Sequence, residues 1–298
     1  MPRSSWSSRP KRVASWYPDA RMPTTRPTIE IAGRRFGGGE LFLIAGPCVL
    51  ESRDLTHEIA GRVAEICGPR RVPFVFKASF DKANRSSSTA GRGPGLDSLE
   101  WLAEVRARLG CPTITDVHLP EQCAAVAELV DVLQIPAFLC RQTDLVLAAA
   151  ATQRALHVKK GQFLAPWDMQ NVVAKIERAG NPNVLVCERG VTFGYGRLVV
   201  DMTGFEHLSA TGKPVVFDAT HSVQEPGALG DRTGGDRTKV PALARAAVAT
   251  GNVDGLFFEV HPRPDESPSD GPNMVKLDEF ERVLDGVLAV HRAVRASS

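Results

Sequence analysis

The 298-residue chain has no apolar run long enough to cross a bilayer. LVLAAAA at 145–151 is the nearest, and a spanning helix needs roughly 20 such residues. That excludes a helical membrane anchor, and no apolar secretory core stands at the start. Bulk charge is missing too: 36 Lys and Arg against 34 Asp and Glu leave a net +2. So no general attraction to nucleic acid or acidic membranes is implied, and any anion binding must come from local clusters. The six cysteines (48, 67, 111, 123, 140 and 187) include no CxxC pair and are scattered, several within apolar runs. This argues against a tight zinc motif or a disulfide framework, and places the chain in a reducing, cytoplasmic compartment. No GxGxxG follows the first apolar strand, which argues against a dinucleotide fold.

What is present begins at residue 28. Residues 1–27 are rich in Ser, Pro and Arg, with Asp19 the only acid. They read as a disordered extension rather than a transit peptide, because they lack a clear amphipathic helix and carry prolines. TIEIAGRRFGGG (28–39) predicts a β-hairpin. Eight short apolar strands follow: 41–48, 74–79, 113–118, 132–138, 156–161, 184–190, 214–221 and 255–261. Most are followed by helical patterns: one capped by Ser52 and closed by Gly68, one ending at Gly110, then 120–129, 142–154, one around Met169–Ile176, 239–250 and a terminal helix over 277–295. Residues 191–212 predict a loop and a helix. Strand-then-helix alternation implies parallel strands, and eight units in one domain over 28–298 predict a (β/α)8 barrel. A doubly wound sheet is the runner-up.

The strand ends carry the chemistry. They read Cys48; Lys77; Asp116 and His118; Gln134; Lys159 and Lys160; Glu188 and Arg189; Asp218 and His221; Glu259 and His261. In a barrel these ends converge on one mouth. FVFKASFDKANRSS (74–87) is the densest stretch, with Lys77, Ser79, Lys82, Asn84, Arg85 and Ser86 suited to phosphate or carboxylate. Lys77, Lys82, Arg85, Lys159 and Arg189 on one mouth would repel unless an anion sits among them. Cys48, His221, Glu259 and Asp270 offer a thiolate, an imidazole and two carboxylates, a set suited to Zn, Fe, Mn or Co.

IAGPCVLES (44–52), FKASFDKANRSS (76–87), RGPGL (92–96), TDVH (115–118), QIPAFLCRQTDL (134–145), VKKGQFLAPWDM (158–169), CERGVTFGYGRLVVDM (187–202), FDATHSVQEPG (217–227) and FFEVHP (257–262) together resemble 3-deoxy-D-manno-octulosonate 8-phosphate synthase. The likeness runs over about residues 40–290. It implies a (β/α)8 barrel with an N-terminal hairpin, usually a homotetramer. The implied reaction condenses phosphoenolpyruvate with D-arabinose 5-phosphate and water in lipopolysaccharide precursor synthesis. By this resemblance Lys77, Lys82, Lys159 and Arg189 hold phosphoenolpyruvate, helped by Ser79 and Gln134. Asn84, Arg85 and Ser86 take the sugar phosphate, and Arg141 reaches that of a neighbouring subunit. His221 counts among both catalytic and metal residues. Cys48 after AGP resembles the metal-dependent class, with His221, Glu259 and Asp270 as the other ligands. Two positions depart from the pattern: Gly91 stands where an aromatic is frequent, and His157 where Asn is common.

Three rivals remain. A 3-deoxy-D-arabino-heptulosonate 7-phosphate synthase shares the barrel and metal set, but typically reads KPR with Ser or Thr where this chain reads KANRS. A metallohydrolase barrel would need HxH after the first strand, which is absent. A catalytically inactive binding barrel would have no reason to keep the mouth cations.

Overall fold

FLIAG at Phe42–Gly46 is buried along its whole length, as a strand flanked on both faces must be, and such runs form parallel sheets. The computed structural model describes residues 26–83, 91–193, 196–228 and 233–297. Two short strands come first, β1 (Thr28–Ile31) and β2 (Arg34–Gly37). The barrel strands are β3 (Phe42–Gly46), β4 (Phe74–Lys77), β5 (Thr113–Asp116), β6 (Val132–Ile135), β7 (Ala155–Lys159), β8 (Val184–Glu188), β11 (Val215–Asp218) and β14 (Gly255–His261). Each pairs in parallel with its neighbour, and β14 pairs with both β11 and β3, so the eight strands close.

Helices α1 (Arg53–Cys67), α2 (Leu99–Leu109), α3 (Gln122–Leu129), α4 (Thr143–Ala151), α5 (Met169–Arg178), α6 (Gly204–Ser209) and α7 (Val240–Ala249) link successive barrel strands, and α8 (Phe280–Ala296) ends the chain. The architecture is the (β/α)8 barrel that the alternation predicts. Ser52 caps α1 by accepting from Leu55 N at 3.2 Å, and Gly110 closes α2 at φ +64°. Gly68 differs from expectation: it stays helical, and the left-handed residue is Arg71 at φ +52°. The stretch after β8 also differs. Before α6 it forms a small antiparallel hairpin, β9 (Val191–Phe193) with β10 (Arg197–Val199). A second short antiparallel pair joins β12 (Gln224–Glu225) to β13 (Gly234–Gly235), and β15 (Val275–Lys276) extends β14.

Alternation along the strands sorts the core into two layers. Leu43, Phe76, Leu133, Val186 and Phe217 pack outward on the helices. Phe42, Ile44, Val75, Ile114, Leu185, Val216 and Phe257 fill the barrel, joined by Ile29, Ile31 and Phe36 of the β1–β2 hairpin. The hairpin thus seals the amino end, Phe36 meeting Phe42 edge to face at 5.5 Å. Arg26 pairs with Asp254 at 3.5 Å. Residues 1–25 of the expected 1–27 extension lie outside the described residues, whereas Arg26 and Pro27 are held against the barrel.

Candidate active site at the carboxyl end of the barrel

Strand direction alone brings the polar residues together. Lys77, Asp116, Lys159, Glu188 and Asp218 are the last residues of β4, β5, β7, β8 and β11. Glu259 lies opposite Gly46 in the β14–β3 register. Gly46 is required there. A Cβ on it would sit 2.0 Å from the Lys77 carbonyl oxygen, so only glycine lets β3 and β4 run close enough to set Cys48 beside Lys77. The strands continue their contact through Leu50 N to Ser79 O at 2.9 Å.

Carboxylates of the protein itself sit among the cations, which corrects the repulsion argument. Lys77 Nζ donates to Glu259 Oε1 at 2.6 Å and to the Cys48 carbonyl at 3.0 Å. Lys159 Nζ donates to Asp218 Oδ2 at 2.6 Å and lies 3.9 Å from the Phe257 ring centroid. Lys160 Nζ lies 3.4 Å from Glu188 Oε2. Buried charges persist only when so matched. Persistence of these lysines therefore does not by itself exclude an inactive barrel. Lys82 and Arg189 are different. Lys82 Nζ donates to Ser79 Oγ at 3.0 Å. The nearby Cys48, Glu259, Asp116 and Asp270 hold its amine above the ordinary range, against the pull of burial. Arg189, 5 % exposed, donates through one guanidinium nitrogen to Gln224 Oε1, and its other terminal nitrogen is buried without a partner among the described residues. A buried donor of that kind is open to an acceptor from outside the chain.

The ligand atoms of Cys48, Glu259 and Asp270 lie within 4.8 Å of one another. The Cys48 thiol donates to Asp270 Oδ2 at 3.1 Å. Burial pushes that thiol up, and Glu259 and Asp270 push the same way against Lys82 and Lys77. Asp270, in the left-handed region at φ +53°, has its carboxyl held far below the usual range: His221 and Lys82 outweigh burial. Glu259 Oε2 is buried with no partner among the described residues. A sulfur and two carboxylates, one with an orphaned buried oxygen, fit a divalent ion, which would displace the thiol proton. His221 joins through Glu259, its Nε2 3.5 Å from Oε1, while its Nδ1 meets Asp218 Oδ2 at 2.7 Å. A carboxylate on Nδ1 fixes the tautomer that leaves Nε2 free to ligate.

Gln134 and His157 form the floor. His157 is fully buried, and its Nδ1 meets Gln134 Oε1 at 3.0 Å, while its ring stacks on Phe257 at 6.0 Å. Burial, then Lys159, pushes its pKa down to about 3, so the imidazole is neutral. It supports Lys159 indirectly, through the shared Phe257 ring. Asp116 Oδ2 meets His118 Nε2 at 2.9 Å. At Gly91, open space surrounds the place a Cβ would take among the described residues.

Ser79 lies in the mouth, whereas Arg141 lies on an exposed rim with Asp168 and Lys175. Asn84, Arg85 and Ser86 lie outside the described residues; on either side of them Lys82 N donates to Arg92 O at 2.6 Å and Arg92 pairs with Asp81. Two participants were not assigned from sequence. Asp218 stands at a strand end, where its position was the signal. Gln224, whose Nε2 donates to Asp270 Oδ1 at 2.8 Å, carries no sequence signal.

A (β/α)8 barrel with buried cations and a metal-competent Cys/Glu/Asp cluster at its mouth is the class these features define. The DAHP synthetase I family pattern matches residues 25–294, and the chain belongs to that family. A Bradyrhizobium sp. 2-dehydro-3-deoxyphosphooctonate aldolase is 59 % identical over 265 residues, covering 88 % of this chain and 92 % of that one. Its Brucella ovis counterpart is 54 % identical over 277 residues, covering 92 % of this chain and all of its own length. That of Bartonella quintana is 56 % identical over 247 residues, with coverage of 83 % and 88 %. Within the wider family, the chain belongs with the 2-dehydro-3-deoxyphosphooctonate aldolases.

Proposed function

We infer that the mouth condenses phosphoenolpyruvate with D-arabinose 5-phosphate and water, giving 3-deoxy-D-manno-octulosonate 8-phosphate and phosphate. The observation that carries this is the orphaned, buried Arg189 nitrogen, linked through Gln224 to Asp270 of the Cys48/Glu259/Asp270 cluster, in a chain 54–59 % identical to aldolases of that name. The heptulosonate alternative is not favoured, because these relatives carry the octulosonate name.

Phosphoenolpyruvate concentrates its negative charge on few atoms, so it needs several fixed cations in a water-poor site. Arg189 and Lys82 supply cations that form no direct ion pair among the described residues, and Lys77 and Lys159 add to the local potential. The amide of Gln134, held by His157 through Oε1, presents its NH2 as a further donor. Ser79 anchors Lys82. Asn84, Arg85 and Ser86 take the sugar phosphate, with Arg141 of a neighbouring copy. C3 of phosphoenolpyruvate forms a bond to the aldehyde carbon, a water oxygen adds at C2, and phosphate leaves. Fixing both substrates makes the encounter effectively intramolecular. Cys48, His221, Glu259 and Asp270 would hold a divalent ion of the Zn, Fe, Mn or Co class, which would orient the aldehyde or activate the water.

A homotetramer is supported by Leu119, Phe138, Phe163 and Phe193, exposed on the segments that follow β5, β6, β7 and β8. Cytoplasmic residence is supported by six free, buried cysteines, and the product would serve lipopolysaccharide synthesis. The test is phosphate release. It should require both substrates and stop on chelation. Equal turnover with erythrose 4-phosphate would overturn the acceptor assignment.

A further inference from the structure

Among the strand-end charges outside the proposed chemistry, Lys160 and Glu188 form a pair. Both are buried, Lys160 completely. Glu188 ends β8 and folds back on the backbone that follows it. Its Oε1 accepts from Arg189 N at 3.0 Å and from Gly190 N at 2.7 Å. Gly190 sits at φ +89°, so two successive N–H groups turn toward one oxygen, a small backbone nest for an anion. Its Oε2 faces Lys160 Nζ at 3.4 Å. Lys160 Nζ in turn donates to Leu164 O at 3.1 Å. The pair therefore locks the backbone of Arg189 to the loop that leaves β7.

A buried ion pair contributes little net stability, and burying it is justified where it specifies one geometry. Here the geometry specified is that of the residue between the two N–H groups. Arg189 has one guanidinium nitrogen on Gln224 and another buried without a partner among the described residues. Gln224 continues to Asp270.

We propose that Glu188 and Lys160 are positioning residues: they fix the backbone from which Arg189 reaches the anionic substrate. This rests on the reading that Arg189 binds phosphoenolpyruvate. Removing the clamp should loosen anion binding more than it slows turnover, because neither residue touches the reacting atoms. Glu188→Gln keeps an oxygen for the two N–H groups. Lys160→Met leaves Glu188 Oε2 unmatched, and Lys160→Met with Glu188→Gln removes both charges together.

The experiment measures KM for phosphoenolpyruvate, kcat, phosphoenolpyruvate affinity by calorimetry, and Tm. Glu188→Ala should raise KM and Kd about tenfold or more with kcat within about threefold. Glu188→Gln, which keeps the acceptor for the two N–H groups but leaves Lys160 without its counter-charge, should fall between wild type and Glu188→Ala in KM. Lys160→Met should resemble Glu188→Ala, and the double variant should recover toward wild type. An unchanged Kd in Glu188→Ala overturns the proposal. So does a Glu188→Gln protein that folds and is as impaired as Glu188→Ala, or a double variant no better than Lys160→Met. Wild-type protein that binds phosphoenolpyruvate but does not turn over sinks the functional reading alone, and the Kd series still decides the clamp. Wild-type protein that binds no phosphoenolpyruvate overturns both.

Discussion

The two ends of the barrel are built from the same strands and solve opposite problems. At the amino end, Ile29, Ile31 and Phe36 of the hairpin close over Phe42 and Ile44, and the region is dry and apolar. At the carboxyl end the strands terminate in Lys77, Lys159, Glu188 and Asp218, all buried and charged. The first end holds by removing apolar surface from water. The second holds only because each internal charge finds a partner, with Arg189 and Glu259 left incompletely matched. The difference separates stability from function along a single axis, and it can be broken from either side.

The largest effect is expected at the mouth. Arg189→Met should lower kcat/KM by on the order of 10³, the scale of losing one preorganised charged donor, with Tm unchanged or higher because a half-matched buried charge is gone. Steady-state kinetics beside thermal melting checks both halves. At the other end, Phe36→Ala should cost about 3–5 kcal/mol of folding stability, measured by denaturant unfolding. Turnover per folded molecule should not change. A parallel loss of activity in that variant would show that the two ends are not independent.

A smaller effect sharpens the comparison through pH. His157 stays neutral in the fold down to about pH 3, whereas its ordinary value is 6.5. Below pH 6.5 the unfolded chain binds a proton that the folded chain refuses, so stability falls with acid, by at most about 1.4 kcal/mol per pH unit. Between pH 6.5 and 5 this lies above the carboxylate range, and His157→Asn should flatten that segment of the stability curve. The Asp116, Asp218 and Asp270 carboxyls, held low by His118, His221, Lys159 and Lys82 against burial, add their own loss only as pH falls through the lower range. The smallest effect belongs to neither end: Ser52→Ala removes the α1 cap and should cost about 1 kcal/mol, without changing turnover.

The same contrast explains what the sequence discloses. Short apolar runs disclose the eight barrel strands and apolar alternation discloses the hairpin, because both patterns are local. Strand ends disclose Cys48, Lys77, Lys159 and Glu259 because barrel topology makes every β-to-α turn converge. Partner choice is not local. Nothing in FVFK says that Lys77 will meet Glu259, 182 positions away, so the mouth read as a cluster of repelling cations. Gln224 stayed invisible because its role exists only between Arg189 and Asp270. The β9–β10 hairpin was missed since three-residue strands carry too little pattern to separate from loop.

One measurement bears most directly on the central claim that the mouth is a metal-dependent phosphoenolpyruvate site. Purified protein is stripped with chelator, then assayed for phosphate release from phosphoenolpyruvate with and without arabinose 5-phosphate, before and after a divalent ion is restored. The account predicts release only with both substrates, lost on stripping and regained with the ion. Full activity in metal-free protein, or release without the sugar phosphate, would contradict it.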